Sequence, residues 1–128
     1  MPHLIVEYSP GLEDLVDMPA VLGSLHKALL SLDPFPTAGI RVRAYRADHA
    51  IVADGHPDNH FCALTMNVGH GRETEVLKAA GDTVFAAAQA AFAGPLGKPH
   101  FALSLEIRVI DPVLTWKDTP IHGRLSKT

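Results

Sequence analysis

Three groups of residues in this 128-residue chain have types and positions that could do chemistry. The first is Pro2. Removal of Met1, common before a small second residue, would bare a secondary amine at the head of an apolar run. A free α-amino group titrates at about 7.7–8.0. Nearby positive charge and desolvation both disfavour its protonated form. An amine that is mostly neutral at pH 7 can take a proton, and acid–base help of this kind contributes roughly 10²–10⁴-fold in rate. Proline is also a common second residue, so Pro2 alone decides nothing.

The second group is arginines. Arg41 and Arg43 share one parity of a strand-like segment, and Arg46 has the other. Arg72 directly follows Val68-Gly69-His70-Gly71, where a strand hands over to a helix. Glycines there let the backbone approach a ligand, and free N–H groups of a first helical turn attract anions. An arginine adds a fork that matches a carboxylate. His70 lies within this anion-type turn. Solvated surface arginine is the plain alternative for any one of them. The turn is neither a dinucleotide fingerprint nor a P-loop, because the third glycine and the Gly-Lys-Ser/Thr ending are missing.

The third group is the eight histidines. His49, His56 and His60 could hold zinc, although His56 and His60 are separated by Pro57 in a loop. No His-Glu-x-x-His or Cys-x-x-Cys pattern occurs, and scattered loop histidines are the ordinary reading. No Gly-x-Ser-x-Gly elbow is present. Ser104 and Cys62 lie within apolar strands, a poor setting for nucleophiles. Glu7 and Glu106 read as strand-face salt-bridge partners by default.

Composition narrows the classes. The formal charge of −3 gives no global reason to expect nucleic acid or a membrane surface as partner. A small anion must therefore be held by local arginines. A single cysteine excludes an internal disulfide and suits a reducing cytoplasm. Its apolar neighbours mark Cys62 as buried and inert. The start MPHLIVEYSP lacks a basic region and its apolar run breaks at Glu7, so no secretory leader is expected. No apolar segment is long enough to span a bilayer.

The elements that must position these groups follow from periodicity. His3–Tyr8 alternates as a strand. Leu15, Met18, Leu22, Leu25, Leu29 and Leu32 repeat at helical steps. Pro19 forces the main helix to begin nearby, with Asp17 as cap. Gly39–Ala47 is a second strand, and 48–59 a linker with a short hairpin at Ile51 and Val52. His60–Val68 is a third strand. Glu73–Phe92 is a helix with Val76, Leu77, Ala80, Val84, Ala87, Ala88 and Ala91 inward, stopped by Gly94 and Pro95. Phe101–Val109 is the last long strand, with Phe101, Leu103, Leu105, Ile107 and Val109 on one face. A short strand is expected at Val113–Trp116 in the tail.

The order is strand–helix–strand twice, and such crossovers join parallel strands. The fold class is therefore α+β: two fused β-α-β units forming a four-stranded mixed sheet with two helices on one face. One domain spans 1–128, with pseudo-repeats at about 2–47 and 60–109, the linker at 48–59 and the tail at 110–128. The uncovered face is expected to carry Cys62, Leu64 and Met66 with Arg41 and Arg43. A partly apolar bare face predicts self-association, as a ring-like oligomer.

With these residues laid out, the chain resembles the 5-carboxymethyl-2-hydroxymuconate isomerases of the tautomerase superfamily. The resemblance rests on MPHLIVEYS at the start, FPTAGIRVRA at 35–44, ADG at 53–55, VGHGR at 68–72, LSLEI at 103–107 and DPVLTWK at 111–117. These stretches span nearly the whole chain in register. The resemblance implies a 4-oxalocrotonate tautomerase-like fold and a homotrimer around inward-facing sheets. It implies Pro2 as the acid/base, with Arg41 and Arg72 holding the carboxylates of a di- or tricarboxylate and stabilising the dienolate. Arg43 matches the second arginine of the motif as a further binding residue, and His70 joins it from the turn. Trp116 fills an aromatic wall position or packs in the core. The reaction implied is double-bond migration in bacterial homoprotocatechuate and 4-hydroxyphenylacetate breakdown, without metal or organic cofactor. Another activity of the superfamily, on an unsaturated or 2-oxo acid, and a non-catalytic trimeric binding protein remain as alternatives.

Overall fold

Alternation in the first residues produces β1 (Pro2–Tyr8), whose even positions Pro2, Leu4 and Val6 are buried. The computed structural model describes residues 2–126. After a 3-10 turn at Leu12–Asp14 comes α1 (Met18–Leu30). Its cap is Asp17, whose carboxylate accepts the Ala20 N–H at 3.2 Å, and Pro19 sits in the first turn, where its missing N–H costs nothing. A 3-10 turn at Thr37–Gly39 leads into β2 (Arg41–Arg46). The second unit is β3 (His60–Val68), α2 (Thr74–Ala91) and β4 (Phe101–Val109), with the four-residue α3 (Ala93–Leu96) between the last two. The tail holds a 3-10 turn at Pro112–Leu114 and α4 (Pro120–Leu125).

The sheet order is β2-β1-β3-β4. Each unit pairs its own strands in parallel, β1 with β2 and β3 with β4, and the units meet through antiparallel β1 and β3. The two long helices pack on each other and on the outer strands, so both cover one face. The expected fold class and four-stranded mixed sheet are observed.

Register decides which residues meet the helices. Leu4 pairs with Met66 and Val6 with Leu64, so these four share a face. All four are buried with Val68, Val84, Leu25 and Leu29 in one core. Cys62, Leu64 and Met66 therefore lie under the helices and not on the bare face, which corrects the expected assignment. Burial pushes the Cys62 thiol up to about 12, so it is inert as expected. The bare face carries His3, Ile5 and Glu7, then Arg41, Arg43 and Tyr45, with Phe61, Ala63, Thr65 and Asn67 beside them. It is more polar than the sequence reading had it. Helix α2 comes close to the sheet at Gly81, where a Cβ would lie 3.1 Å from Ile107 Cδ1.

Other differences are local. Val21 completes the buried stripe of α1, while Leu15 precedes the helix and is exposed. Val76 faces outward near the start of α2, and Val109 is exposed at the end of β4. Gly94 and Pro95 lie inside α3; α2 ends at Ala91 and is followed by Phe92, whose buried ring packs against Phe101. The linker forms turns and no hairpin at Ile51 and Val52. Ala53 and Gly55 take positive φ there, which suits turns and not paired strands. The tail forms no strand at Val113–Trp116, because Asp111 caps a 3-10 turn by accepting the Val113 N–H at 2.9 Å.

Leu64 lies in a central strand under both helices, so its truncation tests this layering. Leu64→Ala should cost roughly 2–5 kcal/mol, read from urea unfolding at fixed protein concentration. A loss below about 1 kcal/mol would contradict a fully packed site.

Candidate active site

The chemistry-bearing residues gather at one end of the sheet. Pro2 pairs with Val68, and the next residue, His3, pairs with Asn67 on one side and Arg41 on the other. The start of β1 thus lies between the loop that enters β2 and the turn that leaves β3. The Pro2 ring is fully buried.

Arg72 joins the two flanking segments. Its Nη2 donates to the Pro34 carbonyl at 2.7 Å and its Nη1 to the Gly69 carbonyl at 3.3 Å. Its guanidinium stands 5.0 Å over the centre of the buried Phe35 ring. Gly71 takes φ 102°, which permits the turn. Arg41 is braced similarly: Nη1 donates to the Ala38 and Gly39 carbonyls at 3.3 and 3.1 Å. A guanidinium has five N–H groups, so both retain donors for a ligand.

The tail closes this end. Ile110 extends the ladder by donating to the Val68 carbonyl at 2.8 Å. The chain then crosses to the opposite edge, where α4 packs on the Thr37–Gly39 turn. Between the tail and the sheet lies a cleft of about 340 Å³, lined by His3, Arg41, Trp116, Lys117 and His122 among others. A neighbouring cleft of about 240 Å³ is lined by Gly69, His70, Ile110 and Lys117.

The field at this end is positive. Burial pushes the His3 imidazole below its ordinary 6.5, and the charges of Arg41, Arg43 and Lys117 push it the same way. None of Arg41, Arg43, Arg72 and Lys117 is in an ion pair among the described residues; Arg46, by contrast, is paired with Glu13 at 3.0 Å. Arg43 makes no hydrogen bond among the described residues either. Four cations without ion-pair partners among the described residues gather at this end, Arg41 and Lys117 lining the larger cleft beside Asp118, an arrangement that can hold a polyanion.

The expected residues are therefore partly assembled. Arg41 and Trp116 share the larger cleft, and His70 lines the smaller one. Trp116 is 84% exposed, which excludes the core-packing alternative. Arg72 stands over Phe35 and bonds the Gly69 carbonyl, and it lines neither cleft. His3 and Lys117 were missed by sequence reasoning. His3 could have been found from its parity with Arg41 and Arg43. Lys117 could not, because an aperiodic tail gives no placement.

A model of the 5-carboxymethyl-2-hydroxymuconate isomerase family matches residues 2–125. The chain belongs to that family. It is accordingly an isomerase. A 5-carboxymethyl-2-hydroxymuconate Delta-isomerase of Escherichia coli is 34% identical over 123 residues, 96% of this chain and 98% of that one. The crystal structure of a 5-carboxymethyl-2-hydroxymuconate isomerase from Deinococcus radiodurans R1 superposes with a TM-score of 0.88 at 38% identity, covering 96% of this chain and 92% of that one. A fused 4-OT symmetric trimer superposes at TM-score 0.57 and 20% identity over 84% of this chain and 85% of the other, a likeness of fold alone. That likeness places the family's fold with the tautomerases.

The depressed His3 value has a consequence for stability. The unfolded imidazole takes up a proton near 6.5, whereas the folded one resists until lower pH. Acid therefore favours the unfolded chain across that window. The stability of the wild type relative to His3→Asn should be intact above pH 6.5 and fall as pH drops through the folded-state value. Denaturant titrations of both proteins across this range check it; parallel curves would mean that burial and the neighbouring cations do not depress the His3 imidazole in the folded chain.

Proposed function

We propose that this isomerase, once Met1 is removed, moves a carbon–carbon double bond in 5-carboxymethyl-2-hydroxymuconate by a 1,3-proton shift, with the Pro2 amine as the shuttle. The observation that carries the reading is the set of unpaired cations around the start of β1, on a chain whose family and relatives bear that activity in their names. The neutral amine takes the proton of the 2-hydroxyl, the acidic proton of this conjugated dienol. The electron pair left behind spreads through the conjugated system as a dienolate, and the ammonium delivers the proton to a carbon of that system, which leaves a 2-oxo group and moves the double bond. Cations placed where negative charge accumulates lower that barrier. They also hold down the pKa of the amine.

In this reading Arg41 and Arg72 grip substrate carboxylates from the two flanks of Pro2. Arg43 and Lys117 add positive charge, Trp116 walls the cleft from the tail, and His70 closes the side of the turn. The substrate would arise in bacterial homoprotocatechuate and 4-hydroxyphenylacetate breakdown, in the cytoplasm, a compartment consistent with a free buried thiol. No helix among the described residues is long and apolar enough to cross a membrane. The working form is a homotrimer. Its support is the uncovered sheet face, together with Val113, Leu114 and Trp116 exposed in the tail. Sedimentation as a monomer at micromolar concentration would remove that part of the proposal.

Two experiments test the chemistry. Intact mass of active protein should correspond to a chain starting at Pro2. Turnover by a chain that keeps Met1 would end the proline mechanism, since the Pro2 nitrogen would then be an amide. Pro2→Ala, which is also processed but presents a primary amine, should lose activity by roughly 10²–10⁴-fold. Arg43→Ala should raise KM by roughly 10–150-fold with kcat little changed, the loss of one charge-assisted ground-state contact of about 1.5–3 kcal/mol. A fall in kcat at constant KM would move Arg43 to the dienolate instead.

A further inference from the structure

The end of the sheet opposite Pro2 carries a second cluster. His56 and Asp58 from the linker and His100 from the residue before β4 each place one donor atom within 4.8 Å of the others. The two imidazole rings stack with centroids 4.5 Å apart. Of the histidines His49, His56 and His60 that the sequence offered for zinc, only His56 joins this group. His60 instead sets its Nδ1 2.8 Å from Ser9 Oγ. The partners that complete the set, Asp58 and His100, come from different elements.

We propose that His56, Asp58 and His100 bind one divalent transition ion of the Zn²⁺ type, which clips the 48–59 linker to the entrance of β4. The donor set argues for the ion: two imidazoles and a carboxylate suit Zn²⁺ and its neighbours, whereas Mg²⁺ and Ca²⁺ take oxygen ligands. The surroundings argue for a prepared ligand at His100. Its Nδ1 lies 2.9 Å from Asn59 Oδ1, an oxygen that can only accept. The proton is thereby held on Nδ1, and the Nε2 lone pair is left for a metal. Asn59 is itself held, donating to the Val52 carbonyl at 3.0 Å and to Asp54 Oδ1 at 2.7 Å. This is the arrangement in which a second layer orients a ligating imidazole.

His56 is less prepared. Its Nδ1 accepts the Asp58 N–H at 3.0 Å, a contact that coordination through Nδ1 would replace. Ligands of a tetrahedral ion at about 2.0–2.1 Å stand about 3.4 Å apart. Closing the cluster from its present spacing requires the exposed His56 and Asp58 to rotate, which unstacks the two imidazoles so that their in-plane lone pairs converge. Asp58 and His100 also line a cleft of about 220 Å³ with Lys98, which leaves room for water at the fourth position.

The role assigned is structural. Residues 60 and 68 bound β3, and at about 3.3 Å per residue the cluster lies about 26 Å from the Pro2 end. Zn²⁺ titrated into the untagged full chain by calorimetry should show one saturable site per chain and raise the thermal midpoint with concentration, as binding to the folded form demands. His56→Ala/His100→Ala should lose both responses and keep isomerase activity. Asn59→Leu should weaken binding by about 10–100-fold. Bound Co²⁺ should give the visible absorption of a tetrahedral site in the wild type and not in the double variant. Unchanged Zn²⁺ binding in the double variant, equal competition by Mg²⁺, or no saturation at millimolar Zn²⁺ would each overturn the assignment.

Discussion

The antiparallel pairing of β1 with β3 is the constraint on which the remaining structure depends. It welds two β-α-β units that would otherwise each expose an open edge. The side-chain period of a strand is two, so one register serves two purposes. Leu4 and Val6 are set against Met66 and Leu64 beneath the helices. The same alternation turns His3 to the other face, level with Asn67 of β3 on one side and with Arg41 of β2 on the other. A slip by one residue would expose the core and bury the charges together. The apolar face therefore enforces the geometry of the polar one.

That coupling explains what could be read in advance. The strands β1, β3 and β4 and the helix α1 were legible because burial on one face imposes periodicity on the letters. Asp17 and Pro19 marked the start of α1, and the structure places both as their chemistry requires. The mistake over Cys62, Leu64 and Met66 has a specific origin. Alternation separates two faces but does not say which one the helices take. Only the pairing with Leu4 and Val6 decides that, and pairing is a long-range fact. The tail and linker were misread for another reason: Asp111 and Ala53 set local turns that carry no periodic signal.

The candidate site was legible to the same degree. Arg41, Arg43 and Arg72 stood out as residues with an anion-binding fork, but what their forks hold was invisible. The fold spends part of Arg41 on the Ala38 and Gly39 carbonyls and part of Arg72 on Pro34 and Gly69. These contacts fix each guanidinium before any ligand arrives, which lowers the ordering cost of binding. Arg43, which has no such brace, keeps its rotamer freedom. The two kinds of arginine therefore suit different tasks, a rigid frame and an adjustable contact. Lys117 extends the cation set from a segment that only the folded chain brings near.

The crossing of the tail over the sheet also bears on how the protein assembles. His3 and Lys117 line one cleft from nearly opposite ends of the sequence. Contacts of such separation must close most of the chain as a loop before they return any free energy. The pairing that sets Arg41 beside His3 closes a much shorter loop within the first β-α-β unit, whereas Lys117 reaches the same cleft only by closing nearly the whole chain, so the tail's share of the charged cleft carries the larger entropic cost.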